Sequence, residues 1–266
     1  MKKTLIMSMS ALALLSSPAQ AQFGNLYSGW SGEGSLSGSV TTGNTDTTDV
    51  GLGLKLEKED GPWRHKFNAL WDRGSVDGDA TRRRIDLGYQ IDRDINERLY
   101  IYGNGDYYSD DFGAFQDGWF IGGGAGYHVL KDEPITWDLE GGAGFRSQQQ
   151  QDFPTLDAAG LPVLAADGVT PLFTNGLTED EFALRGFSDF DYQFNENVAF
   201  YNDTEVLWAS SDTYIWNESG VTAKLTENIS ARASFRVDHH TNPPVGSVGT
   251  DTTCLLYTSP SPRDRG

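Results

Sequence analysis

Trp63-Arg64-His65-Lys66-Phe67-Asn68-Ala69-Leu70-Trp71-Asp72 puts Trp63, His65, Phe67, Ala69 and Trp71 on one parity and Arg64, Lys66, Asn68 and Asp72 on the other. Successive side chains of a strand point to opposite faces, so this stretch has one apolar face and one charged face. The pattern recurs on both sides. Val50, Leu52, Leu54 and Leu56 oppose Lys55 and Glu57, and Ile85, Leu87, Tyr89 and Ile91 oppose Arg84, Asp86 and Gln90. Far along the chain, Ala231, Ala233, Phe235 and Val237 oppose Arg232, Ser234, Arg236 and Asp238. Helical spacing fits none of these runs.

About twelve strands are expected, near 30–42, 47–58, 62–73, 81–92, 98–109, 118–130, 134–147, 180–193, 197–209, 213–225 and 228–239, with the last from Asp251. The two near 197–209 and 213–225 are the least regular, because Asn202, Thr204, Asn217 and Ser219 interrupt their apolar faces. Most are ten to thirteen residues long, about the length of a tilted membrane-spanning strand. The fold class read here is all-β: a single antiparallel transmembrane β-barrel.

The start of the chain agrees with export. Lys2 and Lys3 precede the apolar run Leu5 to Leu15 and the exit Ala19-Gln20-Ala21, so residues 1–21 read as a signal peptide. The barrel is expected over 22–253. From Cys254 to Gly266 the alternation breaks, and this segment is read as a non-native tail that cuts the last strand short; a disordered native tail is the alternative. Cys254 is the single cysteine, which excludes an intramolecular disulfide. A formal charge of −18 argues against nucleic acid as a partner. Charged residues make up 22% and hydrophobic ones 38%, a balance suited to a barrel with one polar face lining a lumen.

Connection lengths alternate. Glu59-Asp60-Gly61, 93–97, 131–133, Asn195-Glu196 and Thr226-Glu227 read as short periplasmic turns. Gly74 to Ala80, Asp110 to Asp117, Gln148 to Thr178 and His240 to Thr250 read as longer extracellular loops. Aromatics band by height: Trp63, Tyr89, Tyr127, Trp137, Tyr192 and Phe200 at one end, and Trp71, Trp119, Phe145, Trp208 and Trp216 at the other. Amphipathic rings favour the two headgroup zones, so two girdles are expected.

The lumen parity carries both signs. Arg64, Lys66, Arg84, Arg146, Arg185, Arg232 and Arg236 share it with Asp86, Asp106, Asp138, Glu140, Asp189, Asp203 and Glu205. Buried charges need partners, so one reading is an internal salt-bridge network, with Arg64, Arg84, Arg146 and Arg232 locked to Asp138, Glu140, Asp189 and Glu205. The other is a narrow polar channel. Arg83 is expected to point outward at the extracellular rim, where lipopolysaccharide phosphates suit a guanidinium. His239-His240-Thr241-Asn242 is compared with the His-x-Ser-Asn arrangement of lipid A deacylases, with threonine in place of serine and no distinctive acidic partner. Glu179-Asp180-Glu181 reads as a solvated loop end rather than a cation site, and no histidine pair has convincing metal spacing.

Three features carry a family resemblance: the opening Trp30-Ser-Gly-Glu-Gly-Ser-Leu-Ser-Gly-Ser-Val-Thr-Thr-Gly-Asn-Thr45, the Asn/Thr-Glu-x-apolar turns, and Asp238 to Pro244 followed by Thr250 to Thr253. Together they resemble the YdiY-like family, salt-induced outer-membrane proteins of unknown function. The resemblance implies an outer-membrane barrel and brings no catalytic residue or cofactor. The function expected is a structural envelope role or passage of small polar solutes, linked to salt or osmotic stress. A lipid-modifying enzyme or a soluble periplasmic ligand-binding barrel are the alternatives. Expected partners are outer-membrane lipids, lipopolysaccharide and the barrel-assembly machinery; no metal or cofactor is expected.

Overall fold

The computed structural model describes residues 29–41, 47–226, 229–244 and 247–260. The signal peptide at 1–21, the link at 43–46 and the tail residues 261–266 lie outside them. The strands are β1 (Trp30–Thr41), β2 (Thr47–Asp60), β3 (Trp63–Val76), β4 (Asp79–Asp94), β5 (Leu99–Asp110), β6 (Phe115–Leu130) and β7 (Ile135–Gln150). Then come the two-residue β8 (Phe153–Pro154) and β9 (Phe173–Thr174), followed by β10 (Thr178–Asn195), β11 (Val198–Ala209), β12 (Thr213–Thr226), β13 (Ile229–His240) and β14 (Thr250–Pro260). Twelve of these form one closed antiparallel barrel in which neighbours in sequence pair throughout, β7 pairing with β10.

Closure comes from a segment that the alternation pattern placed outside the barrel. Cys254 onward continues β14 as far as Pro260, paired with β13 from His239–Thr250 to Ile229–Pro260, and Thr258 meets Leu36 of β1. The expectation that the last strand stops at residue 253 is thus corrected. Thr252, Thr253, Leu255, Tyr257 and Thr258 are residue types that accept a ladder once a neighbouring strand supplies the pairing.

The alternation of connection lengths is weaker than expected, because several strands run further at the long-loop end. Asp77 and Gly78 both take positive φ, 51° and 91°, as a two-residue hairpin turn that matches strand twist requires. The loop expected from Gly74 to Ala80 is therefore that tight turn, with a bulge at Gly74–Ser75. The long segment at 151–177 is organised by its own backbone ladder. β8 pairs with β9, Leu156 with Pro162 and Leu164 with Pro171, and the Asp157 and Asp167 carboxylates accept backbone N–H bonds at its turns.

Parity sets the two faces. Ile121, Phe145 and Trp208 are more than half exposed on the outer wall, whereas Tyr100, Tyr102, Phe120 and Tyr201 are buried in the lumen. Trp216 departs from the expected outer girdle. It lies opposite Glu205 and Asp238 on the lumen face, 4.7 Å beneath the Arg236 guanidinium and beside Phe187.

Lumen aromatics fit because glycines face them. A Cβ at Gly126 would enter the Tyr100 ring, at Gly142 it would meet the Tyr102 hydroxyl, and at Gly220 it would strike the Tyr201 ring. Phe120 lies over Gly122 and Gly144 in the same way. Gly141, on the outer wall, has open space around the same position. Gly126→Val should therefore lower stability by roughly 1–3 kcal/mol through overpacking, while Gly141→Val should stay within about 0.5 kcal/mol of the parent. Denaturant unfolding followed by tryptophan fluorescence measures both, and equal losses would contradict the assigned faces.

Candidate functional site

The barrel interior is filled by a polar network centred on Glu140 of β7, whose side chain is 2% exposed. Alternation fixes its direction: Leu139 and Gly141 take the outer wall, so Glu140 must enter the lumen. Its Oε2 accepts from Arg185 Nη1 at 2.7 Å, and its Oε1 accepts from the Tyr100 hydroxyl and from Gln90 Nε2, both at 2.8 Å. Gln90 Nε2 also donates to Asp92 Oδ1 at 2.8 Å, and Arg185 Nε donates to Glu205 Oε2 at 2.8 Å. A fully buried Asp92 then takes Arg64 at 3.2 Å and Lys66 at 3.5 Å. The chain Arg64–Asp92–Gln90–Glu140–Arg185–Glu205 thus links β3, β4, β7, β10 and β11, with the Gln90–Glu140 bond stepping from β4 to β7 past β5 and β6.

Aromatic faces flank its cations. Arg64 sits 5.2 Å from the Tyr100 ring centre, and Arg185 is 5.4 Å from Tyr102 and 4.9 Å from Phe187. A guanidinium is weakly hydrated and is attracted by a ring face, which eases its burial.

Toward the long-loop end, Arg84 pairs with Asp86 at 2.7 Å and Arg236 with Asp238 at 2.9 Å, Asp238 also accepting from the Tyr214 hydroxyl. Above them Arg146 donates to Glu181 at 2.6 Å and to the Asp212 carbonyl at 3.0 Å. Asp212 lies in the β11–β12 turn and gathers His240 Nδ1 at 2.6 Å, Asn242 N at 2.8 Å and the Thr241 hydroxyl at 3.2 Å. Burial pushes the Asp212 carboxyl up. The bonds from His240 and Asn242, with the nearby His240 and Arg146 charges, outweigh that and hold it below the usual range. His240 lies between Phe115 at 5.0 Å and Tyr214 at 4.8 Å, so β6, β12 and β13 meet over the mouth. An apolar cluster of Phe120, Ala183, Leu207 and Ala209, with Tyr214 against it, lies beside this rim.

The remaining sequence-selected residues occupy the lumen wall. Asp106 accepts from Asn104 at 2.6 Å, and Asp138 accepts His128 at 2.7 Å. Asp138, Asp189 and Asp203 lie directly opposite one another on β7, β10 and β11. Arg232 bonds the Thr222 hydroxyl at 3.2 Å and covers the Tyr201 ring at 4.9 Å.

The pairing expected from sequence is corrected in its partners. Arg64, Arg84 and Arg146 take Asp92, Asp86 and Glu181, while Glu140 and Glu205 share Arg185. Barrel stagger decides which charges reach each other, and parity alone does not carry that information. Asp92 and Gln90 share the parity of Arg84, so their direction was legible although their roles were not.

The His240–Thr241 comparison gains an acidic neighbour but not the arrangement a nucleophile needs. Thr241 donates its hydroxyl proton to Asp212 and accepts from Thr213 N at 2.9 Å, so it does not bond to an imidazole nitrogen. His239 instead meets the Thr250 hydroxyl at 2.8 Å. Glu179 and Glu181 open β10 and accept from Gln148, Gln150, Ser210, Ser211 and Arg146. Among the described residues no group of His, Cys, Asp and Glu is placed to hold a metal ion.

Glu140→Leu takes the acceptor from the Tyr100 hydroxyl and the Gln90 amide and leaves Arg185 with Glu205 alone, and it should cost about 3–5 kcal/mol of unfolding free energy. Adding Arg185→Leu should not restore it, because Glu205 then loses its arginine. Chemical denaturation of the three proteins checks this. A single substitution without effect would show that the network is not a stabilising element.

No curated protein matches the chain. Among solved structures, the translocator domain of the autotransporter NalP from Neisseria meningitidis is similar at 12% identity and TM-score 0.46, covering 89% of each chain. The Pseudomonas putida toluene transporter TodX is similar at 9% identity and TM-score 0.38, covering 88% of this chain and 87% of its own. The β-domain of the Bordetella autotransporter BrkA gives 13% identity and TM-score 0.38, covering 86% and 96%. Likenesses this distant add no argument about function. The profile described as "Protein of unknown function, DUF481" matches residues 34–258, nearly the whole barrel, and the chain belongs to that family.

Proposed function

We propose that this protein is an outer-membrane β-barrel of a Gram-negative envelope, whose interior is closed by its own side chains and whose role is structural rather than that of an open pore. The observation that supports this most is the bonded path from Asp92 through Gln90 and Glu140 to Arg185, which joins side chains of β4, β7 and β10 through the interior. Ions crossing such an interior would have to separate paired charges in a confined space. In this reading the apolar outer wall meets lipid, and closure leaves no unpaired sheet edge in hydrocarbon. Arg73 and Arg83, directly opposite each other on the outer wall at the long-loop end, meet lipopolysaccharide phosphates; Arg83 is also bonded to Asp111 at 2.7 Å. The chain is inserted by the barrel-assembly machinery, binds no nucleic acid, and acts without cofactor or enzymatic chemistry. A link to salt or osmotic stress belongs to this reading through the resemblance alone.

Planar-bilayer recording of the purified protein is the test. Conductance should stay near the background, and Glu140→Gln should destabilise the barrel without opening a defined channel. A large, stable single-channel current whose selectivity shifts on replacing Glu140 or Arg84 would establish a solute pore instead.

A further inference from the structure

The outer wall carries a feature that the closed-barrel reading does not use. Asn202 and Thr204 of β11 and Asn217 and Ser219 of β12 share the outward parity of Val206, Trp208 and Val221, all of which are exposed. The four close a ring of hydrogen bonds. Thr204 Oγ1 donates to Asn202 Oδ1 at 3.2 Å, and Asn202 Nδ2 donates to Ser219 Oγ at 2.7 Å. Ser219 Oγ in turn donates to Asn217 Oδ1 at 3.2 Å, and Asn217 Nδ2 returns to Thr204 Oγ1 at 2.6 Å. Ser188 of β10 lies directly opposite Thr204 and accepts from Trp137 Nε1 at 3.0 Å, extending the polar patch by one strand.

On β2 to β4 the mid-strand outward positions are mostly bulky and apolar, among them Leu52, Trp71, Ile85 and Leu87. The polar patch on β11 and β12 differs chemically from that wall. The ring also does not satisfy its members fully. A carboxamide has two N–H donors and two oxygen lone pairs. Asn217 spends its second N–H near the Asp203 carbonyl, at 3.3 Å, whereas among the described residues Asn202 keeps one N–H and each amide oxygen keeps one lone pair. Hydrocarbon offers nothing to these groups, and leaving them unmet there is costly.

We propose that this patch is the contact surface for a second copy of the chain within the membrane. Such an interface rests on the outer-membrane placement proposed above. The spare groups are neutral and are both donor and acceptor; a charged partner would carry the cost of its charge into hydrocarbon, and an acyl chain cannot bond to them. A copy related by a two-fold axis presents the same set in reverse, letting the Asn202 amides bond reciprocally, as an isologous interface demands. Small outward residues beside the ring, Gly186 and Ser188, allow two walls to approach closely, the combination that brings membrane segments together.

The experiment uses the full chain with Cys254→Ser, which leaves no cysteine. Val206→Cys is placed beside the ring and Leu87→Cys on the opposite part of the wall, and each is treated with a short bis-maleimide in native membranes. Val206→Cys should give a dimer band and Leu87→Cys should not. Adding Asn202→Leu and Asn217→Leu should cut the Val206→Cys dimer at least fivefold while the monomer keeps its heat-modifiable mobility, which reports an intact barrel. Membrane-embedded, folded protein with no dimer at Val206→Cys, or with equal dimer at both sites, overturns the interface alone. Protein recovered in the soluble fraction overturns both this proposal and the outer-membrane reading.

Discussion

A single carboxylate organises this barrel. Glu140 is nearly inaccessible and accepts three hydrogen bonds, from an arginine on β10, a tyrosine on β5 and a glutamine on β4. A carboxylate in that position is tolerable only when it is paired and hydrogen-bonded. Supplying those partners requires strands that are not neighbours to converge at one point. The interior is therefore held by contacts through the lumen as well as by the ladder around it.

The glycines of β6, β7 and β12 are the counterpart of that demand. Tyr100 reaches Glu140 because Gly126 leaves its ring a place to lie, and Tyr102 sits under Arg185 because Gly142 is open beneath it. Polar satisfaction and steric fit are thus one arrangement. A similar economy appears at the mouth, where Asp212 collects groups from the β13–β14 connection while Arg146 fastens its own carbonyl.

Much of the fold was legible because a strand with one apolar side repeats every second residue, and the ladder of each pair from β2 to β13 follows the segments so found. Four things were not. Trp216 was assigned outward on its apolar character, yet its parity and the Arg236 guanidinium place it in the lumen, where its ring face attracts a cation already paired with Asp238. The strand from Cys254 to Pro260 lacks a clean alternation, and only the presence of β13 and β1 on either side defines it. The partners of Arg64, Arg84 and Arg146 depend on stagger between strands, a three-dimensional quantity that a list of inward residues does not contain. The outward polar residues of β11 and β12 registered only as irregularities; their closure into a ring needed the register of Asn202 with Ser219 and Thr204 with Asn217.

One hydrogen-bonded network couples β4 to β10 through Glu140, although the two strands do not pair. A double-mutant cycle between Gln90→Leu on β4 and Arg185→Leu on β10 tests it most directly, because these side chains meet only through Glu140. Unfolding free energies of the two single variants and the double variant should be non-additive by more than about 0.5 kcal/mol. Strict additivity would contradict the account, since each side chain would then be serving its own wall.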